Sequence, residues 1–490
     1  MGNLSHLEPS KVYDYFEQIS RIPRGSGHTR QISDWLAAFA RSHHLFWRQD
    51  EAGNVLIRKP ASAGRKDRDE LILQGHMDMV AVREPGCPTD PEKDPLVLRE
   101  DGMYLWAEGT SLGGDDGIAV AYILAILDAE DLEHPPLTAL FTVDEEVGML
   151  GAQALDLSDV SARQMINLDS EEEGTLLTGC AGGGTVECRF PAARESVSGM
   201  QAELVISGLT GGHSGEEIHT GRANAIALLG RYFLEFPGEI RWRILTVSGG
   251  EKDNAIATDS RVQLLFPEAD EAIQKQVEAY TGWFRRTIGQ EYHQTDPNLK
   301  VSFCWSGVEQ KPALTAEDSR ALSLALMHLP CGVQRRMPGM EEMIETSLNP
   351  GILALDAEGK DGTGEYVITY CVRSARESCK QALIARMRSL TECLGGRLRI
   401  NGLYPAWEYR EESPLRACMT EAYQEYYGRE PVTKTIHAGL ECGIFAGKIE
   451  GLDCVSIGPD ILDIHTTRER MSIASVRRVW EYLLLVLKKL

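Results

Sequence analysis

Short apolar runs alternate with helical segments through the first 190 residues, and this alternation limits the possible folds more than any other feature. Residues 71–75, 138–143 and 164–168 are apolar runs with the length of buried strands, and residues 117–128 predict a buried helix. Such an order is typical of a sheet that carries helices on its faces. We therefore predict an α/β fold in which a mixed sheet is flanked by helices.

The pattern changes after about residue 190. Residues 202–206 and 261–266 predict strands with one polar face, which are typical of antiparallel sheets with a solvated side. Two stretches, 261–288 and 366–394, each combine a strand, a turn and a helix, which either an internal duplication or chance similarity explains. This region therefore predicts a separate domain of antiparallel strands and helices.

The carboxyl-terminal part of the chain returns to the first pattern. Three elements are predicted there: helices at 413–427 and 474–488 and a strand at 453–457. A chain of 490 residues exceeds one ordinary core, so more than one domain is expected. The simplest division is a catalytic domain built from residues 1–190 and 409–490, interrupted by an inserted α+β domain at residues 191–408.

The composition argues against several classes of partner. With 50 Lys and Arg residues against 73 Asp and Glu residues, the formal net charge is −23, and so negative a surface repels nucleic-acid phosphates and anionic lipid. No apolar run of about 18 residues exists, so we expect neither a nucleic-acid nor a membrane partner. The 11 cysteines form no CxxC pair, which is typical of reduced thiols. The start MGNLSHLEPS lacks the features of a secretory signal, and a cytoplasmic location is expected.

Four apolar strands are each followed by side chains that can bind a metal ion. They are residues 71–75 with His76 and Asp78, residues 138–143 with Asp144, Glu145 and Glu146, residues 164–168 with Asp169, and residues 454–458 with His465 after a short loop. Ligands of α/β proteins bind beyond the carboxyl ends of the strands, where these side chains are expected to meet. Asp115, in the Gly-rich segment SLGGDDG, can reach the same place. Each feature alone is explained by a polar strand end or a solvated turn, but their coincidence favours a metal site.

The predicted ligands indicate two metal ions. Imidazole and carboxylate without thiolate suit zinc, manganese or cobalt. Two histidines and three carboxylates are enough for two ions only if one carboxylate bridges them, and Asp115 is the natural bridge because its loop can lie over the strand ends. Two ions that clamp one hydroxide lower the pKa of its water towards about 7. A carboxylate must then carry the proton to the leaving amine, and the side chains of the neighbours Glu145 and Glu146 diverge, so that one can bind metal while the other faces the water.

Motifs that run in order from residue 75 to residue 465 resemble a known enzyme family. They are GHMDMV, SLGGDDGIA, TVDEEVGMLGA, NLDSEEEG, GGHSGEEIHTGRANA, CVRSA, HAGLECGIF and VSIGP with a later His. This set is similar to that of the aminoacyl-histidine dipeptidases, also called Xaa-His dipeptidases or bacterial carnosinases, which belong with peptidase T and carboxypeptidase G among the dinuclear zinc peptidases. The resemblance implies a zinc-peptidase catalytic domain, an inserted lid, and two Zn²⁺ ions per subunit, for which Co²⁺ or Mn²⁺ can substitute. It also implies a homodimer formed through the lid.

The resemblance further implies roles for individual residues. The metal ligands would be His76 and Asp169 on one ion, Glu146 and His465 on the other, and Asp115 between them. The catalytic residues would be Glu145 as general base, Asp78 as the group that orients His76, and His213 as the group that stabilises the tetrahedral oxyanion. The substrate-binding residues would be His213, Asn254, Arg373, Gly439 and Glu441, with Arg373 on the free carboxylate. Asp116 stands where relatives usually carry Asn, and the Asp115–Asp116 peptide bond is expected to be cis.

The predicted function is metal-dependent hydrolysis of dipeptides, preferentially aminoacyl-histidine dipeptides that include β-Ala-His. The alternative within the same chemistry is a broader di- or tripeptidase or an N-acyl amino acid deacylase, which would keep the metal ligands and differ in the substrate pocket. A catalytically inactive binding protein would lack a ligand or the base, and none is missing from the sequence. A calcium-binding protein would use many oxygen ligands and would have little use for His76 and His465.

Overall fold

A computed structural model of the chain describes residues 4–356 and 364–490. Residues 1–3, the first part of the segment that predicts no secretory signal, lie outside the described residues. The chain divides into two compact units. Unit 1 comprises Met1–Cys180, Trp407–Ile436 and Leu440–Leu490, and unit 2 comprises Ala181–Ala406 and His437–Gly439.

Strands and helices occur in both units. In chain order the strands are β1 (Phe46–Gln49), β2 (Val55–Lys59), β3 (Leu71–His76), β4 (Leu98–Glu100), β5 (Tyr104–Ala107), β6 (Leu137–Thr142), β7 (Gln164–Asn167), β8 (Thr175–Cys180), β9 (Gly182–Pro191), β10 (Arg194–Ser207), β11 (Arg243–Gly249), β12 (Ser260–Phe266), β13 (Lys300–Leu314), β14 (Gly332–Met337), β15 (Met340–Asp356), β16 (Glu365–Ser374), β17 (Arg397–Tyr404), β18 (Val432–Ile436), β19 (Asp453–Ser456), β20 (Ile461–Leu462) and β21 (Arg470–Ser472). The helices are α1 (Ser10–Ser20), α2 (Arg30–Ser42), α3 (Gly114–Asp128), α4 (Leu150–Ala154), α5 (Ala225–Leu234), α6 (Glu271–Glu291), α7 (Ala316–His328), α8 (Glu377–Cys393), α9 (Pro414–Tyr427), α10 (Glu441–Lys448) and α11 (Ile473–Lys489). Within residues 4–356 and 364–490, no helix combines the length and the apolar character that a membrane crossing requires.

A mixed sheet forms the centre of unit 1, with the strand order β1-β2-β6-β3-β7-β19-β8-β18. Strands β6, β3, β7 and β19 are parallel to one another, whereas β1 and β2 pair antiparallel at one edge. A smaller antiparallel sheet has the order β20-β21-β5-β4. The predicted α/β fold with a mixed sheet flanked by helices is therefore confirmed.

The central strands of unit 1 are buried on both faces, which explains their continuous apolar sequence. Every residue of β3 and of β6 is buried, and so are the residues of α3 from Gly114 to Leu127. Their apolar side chains share one core with those of α1, α2 and α11. The parallel strands end side by side, since His76 pairs with Thr142 and Gln74 pairs with Asn167. Side chains that follow these strands therefore meet at one edge of the sheet.

Unit 2 contains an antiparallel sheet with the strand order β13-β10-β12-β11-β15-β16-β9-β17, and β14 pairs with β15. The strands predicted at 202–206 and 261–266 lie in β10 and β12. Helices α5, α6, α7 and α8 contribute to the second apolar core of the chain, together with buried residues of this sheet. The pairing of one buried sheet face with helices explains why these strands carry polar residues on the other face.

Unit 2 begins at Ala181, before the predicted boundary at residue 191, because β9 belongs to its sheet. It also includes His437–Gly439, although the sequence places this segment in the catalytic domain. A side-chain contact within unit 2 accompanies this assignment, since Ser347 Oγ lies 2.7 Å from His437 Nε2. The role of the inserted part as a lid and dimerisation domain stays a prediction.

Candidate metal centre

The predicted ligands lie in unit 1 at the edge where the parallel strands end. His76 is the last residue of β3, Glu146 follows β6, and Asp169 follows β7. His465 lies in the loop between β20 and β21. The strand register explains why the first three lie at one edge, because parallel strands that end side by side place the residues that follow them at the same edge.

Asp115 reaches this edge because the chain does not enter α3 as a regular helix. Gly113 is in the left-handed region with φ of 62°, and Asp115 and Asp116 have non-helical backbone angles. The Asp115–Asp116 peptide bond is cis, which confirms that prediction. The Asp115 carboxylate lies between two histidines: Oδ1 is 3.0 Å from His76 Nε2, and Oδ2 is 3.0 Å from His465 Nε2.

The remaining predicted ligands each lie beside one of these histidines. Asp169 Oδ1 is 3.7 Å from His76 Nε2, and Glu146 Oε2 is 3.0 Å from His465 Nε2. The ligand atoms of Asp115, Glu146 and His465 all lie within 4.8 Å of one another. The five side chains therefore form two adjoining groups, and the Asp115 carboxylate touches both.

Asp78 is completely buried beside His76. Its Oδ1 lies 3.4 Å from His76 Nδ1 and accepts a hydrogen bond from the Glu145 amide at 3.1 Å, while Ser26 Oγ donates to Oδ2 at 2.8 Å. Burial acts to raise the pKa of Asp78, but the hydrogen bonds with His76 and Ser26 bring the pKa below its usual value. Asp78 is thus an anionic partner for Nδ1 of the imidazole, which also lies 3.2 Å from the Asp78 carbonyl oxygen. These contacts leave Nε2 directed at the other predicted ligands.

Buried carboxylates dominate the electrostatics of the site. Burial and the charge of Asp169 raise the pKa of Glu145 well above its usual value, and burial with neighbouring carboxylates raises the pKa of Glu171 to about 8. Asp116 accepts a hydrogen bond from the His76 amide at 3.0 Å, and burial together with Asp169 raises its pKa as well. A divalent cation would neutralise such a group of carboxylates. Among the described residues, the three side-chain groups that can hold an ion contain His, Asp and Glu but no Cys, so the donors fit zinc, cobalt or manganese.

Glu441 is the first residue of α10 and is completely buried in unit 1. Its Oε2 accepts hydrogen bonds from Gln74 Nε2 at 2.5 Å and from Thr142 Oγ1 at 2.6 Å, which are side chains of β3 and β6. Its Oε1 has no hydrogen-bond partner among the described residues, and burial raises the pKa of the carboxyl to about 8. Glu441 therefore packs against the strands that lead to the predicted metal ligands, and its place in the substrate pocket stays a prediction.

In unit 2, His213 and Arg373 come together around Gly215. A Cβ atom at Gly215 would lie 3.1 Å from His213 Cε1 and 3.2 Å from Arg373 Nε. Asn254 is held next to this turn, because its carbonyl oxygen accepts a hydrogen bond from the Ser214 amide at 2.8 Å. Three of the predicted substrate-binding residues thus belong to one cluster within unit 2.

A histidine that the sequence pattern does not single out, His437, belongs to the same cluster. Its carbonyl oxygen would lie 2.7 Å from a Cβ atom at Gly215, and the predicted Gly439 follows it in the same short part of unit 2. Burial and the charge of Arg373 lower the pKa of His437 to about 3, so its ring is neutral. Among the described residues, neither its Nδ1 nor the Nε of Arg373 has a hydrogen-bond partner. The cluster therefore offers unpaired polar atoms to a ligand.

Two further charged residues lie beside the predicted metal ligands although no sequence motif marks them. Glu469 accepts hydrogen bonds from backbone amides of the loop that carries Asp115, and it is 2% exposed. Arg24 is 1% exposed and donates to backbone carbonyl oxygens on either side of the site. Their roles depend on contacts with residues far away in the sequence, so a local pattern could not reveal them.

Comparisons with known proteins agree on one group of enzymes. The pattern of peptidase family M20/M25/M40 matches residues 72–489. The cytosol non-specific dipeptidase of Escherichia coli (strain K12) is 35% identical over 493 residues, which cover 100% of this chain and 99% of that relative. The crystal structure of the aminoacylhistidine dipeptidase from Vibrio alginolyticus matches with a TM-score of 0.90 and 30% identity, over 99% of this chain and 98% of that one. The aminopeptidase PepT from Bacillus cereus shares the fold, with a TM-score of 0.56 and 15% identity over 99% of both chains.

Proposed function

Because the chain belongs to peptidase family M20/M25/M40 and hydrolyses peptide bonds, we propose that its preferred substrates are aminoacyl-histidine dipeptides, including β-Ala-His. The Vibrio alginolyticus relative supports this specificity, since it is an aminoacylhistidine dipeptidase with 30% identity. The observation that carries the proposed chemistry is the Asp115 carboxylate, whose two oxygens each face a different histidine at 3.0 Å. A carboxylate in that position is suited to join two metal ions.

The five predicted ligands divide between the two ions. His76 and Asp169 would hold one zinc ion, Glu146 and His465 would hold the other, and Asp115, whose two oxygens face the two histidines, would serve both, with cobalt or manganese as substitutes. When bound, such a pair of ions polarises the scissile carbonyl and lowers the pKa of water. Asp78 fixes the tautomer and orientation of His76 through Nδ1.

Glu145 moves the proton. One of its carboxylate oxygens lies within 4.8 Å of ligand atoms of both His76 and Glu146, so it can reach a water molecule between them. The amides of Glu145 and Glu146 lie 3.1 Å and 3.4 Å from the two oxygens of Asp78, which fixes the turn that carries both side chains. Glu145 takes a proton from the attacking water and delivers it to the amine that leaves.

The cluster of unit 2 binds the substrate. Arg373, whose Nε has no partner among the described residues, pairs with the free carboxylate of the dipeptide through two parallel hydrogen bonds. Asn254 and Gly439 contribute further contacts, Glu441 lines the pocket, and His213 donates a hydrogen bond to the developing oxyanion. Burial and the charge of Arg373 lower the pKa of His213, so the ring acts as a neutral donor at neutral pH.

His213→Ala is expected to lower kcat by about 100-fold or more, because a donor to the oxyanion acts mainly in the transition state. The metal content should not change, since His213 is not a ligand. Steady-state kinetics on Gly-His measures the effect, and His219→Ala, which removes an exposed histidine of the same segment, is the matched control and should behave like the wild type. Wild-type values of both kcat and KM in His213→Ala would mean that His213 has no catalytic role.

A broader dipeptidase is the second candidate, and it is favoured by the Escherichia coli relative, which is described as non-specific. A panel of β-Ala-His, Gly-His, dipeptides without histidine, a tripeptide and an N-acyl amino acid separates the possibilities. We expect the highest kcat/KM on the histidine-containing dipeptides. Equal kcat/KM values across all dipeptides would favour the second candidate, and cleavage of the N-acyl amino acid alone would contradict both.

The same relative supports a cytosolic location, since it is a cytosolic enzyme with 35% identity over the whole chain. We further propose that two copies of the chain form a homodimer through unit 2.

A further inference from the structure

Glu469 binds the backbone that leads into α3. Its Oε2 accepts hydrogen bonds from the amides of Leu112 and Gly113 at 2.8 Å and 3.0 Å, and its Oε1 accepts from those of Gly114 and Asp115 at 2.8 Å and 3.4 Å. One buried carboxylate thus holds four consecutive amides, the last of which belongs to the proposed bridging residue. Glu469 also lies four residues after His465, so it connects the segment of that ligand with the loop of Asp115.

Arg24 binds the same loop by donating a hydrogen bond to one of its backbone carbonyl oxygens. Its Nη2 donates to the carbonyl oxygen of Gly113, and its Nη1 donates to those of Met77 and Asp78 at 3.1 Å and 3.0 Å. Met77 and Asp78 directly follow His76. One guanidinium therefore connects the backbone next to the first histidine with the backbone next to Asp115.

The glycines of the motif SLGGDDG provide the space for these two charges. A Cβ atom at Gly113 would lie 2.5 Å from Arg24 Nη2, and one at Gly117 would lie 2.4 Å from the same nitrogen. A Cβ atom at Gly114 would lie 3.3 Å from Glu469 Oε1. Arg24 and Glu469 therefore approach the loop closely at three glycines of this motif, and the tightest approaches are those of Arg24 to Gly113 and Gly117.

We propose that Arg24 and Glu469 are positioning residues that fix the Asp115 carboxylate relative to His76 and His465, so that the site is preorganised for two metal ions. The inference rests on the proposed role of Asp115 as the bridge. Through these two side chains, the backbone segments that carry three of the ligands are tied to one another. Neither side chain touches a reacting atom, so both act through the position of Asp115.

A role in folding stability alone is the competing explanation, because a buried charge that binds backbone amides also stabilises the start of a helix. Burying two charges is costly, however, and an apolar core of the same shape is often at least as stable. The presence of both charges beside the predicted ligands is better explained by a geometric requirement. Groups that orient metal ligands typically change metal affinity by about 10- to 100-fold when they are removed.

The test is zinc binding to metal-free protein in competition with a chromophoric chelator. Glu469→Gln should bind Zn²⁺ about 10- to 100-fold more weakly than the wild type, because the amide cannot accept hydrogen bonds at both positions. Glu469→Asp should recover part of the affinity, since it keeps an anionic acceptor. Gly117→Ala tests Arg24, because the added methyl group displaces the Arg24 guanidinium. This variant should also bind Zn²⁺ more weakly than the wild type.

Asp453→Asn is the matched control. Asp453 is another buried carboxylate of unit 1 that holds a helix start, since it accepts hydrogen bonds from Ser413 Oγ at 2.6 Å and from the Leu415 amide at 2.9 Å. It is the first residue of β19 and thus lies at the other end of that strand from the site. This variant should lose thermal stability but keep two zinc ions at wild-type affinity.

The outcomes separate this inference from the proposed function. Wild-type zinc affinity in both Glu469→Gln and Gly117→Ala, with only a lower melting temperature, would overturn the positioning role. If Glu469→Gln does not fold, the zinc affinity of Gly117→Ala decides whether the positioning role is correct. A wild type that binds two zinc ions without cleaving dipeptides would overturn the proposed substrate alone, whereas a wild type that binds fewer than two would overturn the bridge and this inference together.

Discussion

Glu145→Gln is expected to lower kcat by about 10²- to 10⁴-fold while the protein keeps its full metal content. The amide has nearly the shape of the carboxylate but cannot take up the proton of the attacking water. Metal binding should persist, because the two-ion assignment uses Glu146, whose oxygen lies 3.0 Å from His465 Nε2, and does not use Glu145. Release of the free amino acid measures the rate, and elemental analysis of the dialysed protein measures the metal.

Glu146→Gln is the matched comparison, since it makes the same chemical change one residue further along. This variant should bind metal more weakly than the wild type, and its activity should return in part when zinc is added in excess. The two variants therefore separate proton transfer from metal binding within one dipeptide segment. If both keep the same metal content and the same residual rate, the assignment of separate roles to Glu145 and Glu146 is wrong.

Removal of the metal ions is expected to abolish activity. Five side chains meet at the strand ends, and in the part of the chain that the structure describes the carboxylates of Asp115, Glu146 and Asp169 form their ion pairs with the two histidines. The enzyme should therefore lose its rate after treatment with a chelator and dialysis. It should regain the rate with Zn²⁺, Co²⁺ or Mn²⁺ but not with Ca²⁺, which prefers an all-oxygen set of ligands.

The zinc affinity should also fall as the pH decreases. Hydrogen bonds with Asp115 and Glu146 raise the pKa of His465 to about 11, so without a cation the imidazole holds a proton that an ion must displace. Because protons compete with the ion, the apparent affinity must be weaker at pH 6 than at pH 8. An enzyme that keeps its full rate after dialysis against a chelator would contradict the metal requirement.

The strands of unit 1 and the meeting of the predicted ligands could be predicted because the strands are marked in the local sequence and the polar residues come shortly after them. Parallel strands buried on both faces must be apolar along their whole length, as in β3 and β6. A polar residue directly after such a strand is therefore conspicuous, and the strand order then determines its neighbours. His76 and Asp169 could be placed at one edge of the sheet from this reasoning alone.

The residues that support the ligands could not be predicted, because their partners are backbone atoms far away in the sequence. Glu469 is one of 73 acidic residues, and the amides that it binds are more than 350 positions earlier. Arg24 is equally inconspicuous, since nothing in the neighbouring sequence indicates that its side chain will be buried. His437 belongs to unit 2 although the residues on both sides of its short segment belong to unit 1. In each case the information lies in tertiary contacts and not in periodicity.

The composition of unit 2 from two pieces of chain determines how the protein can be dissected. A deletion of residues 181–406 would remove most of unit 2, but it would leave the tripeptide His437–Gly439 without the rest of its unit. His437 would lose Ser347, whose hydroxyl lies 2.7 Å from its Nε2. A minimal module made from unit 1 must therefore redesign this tripeptide, and a chimaera that receives unit 2 from a relative must take the tripeptide from the same donor.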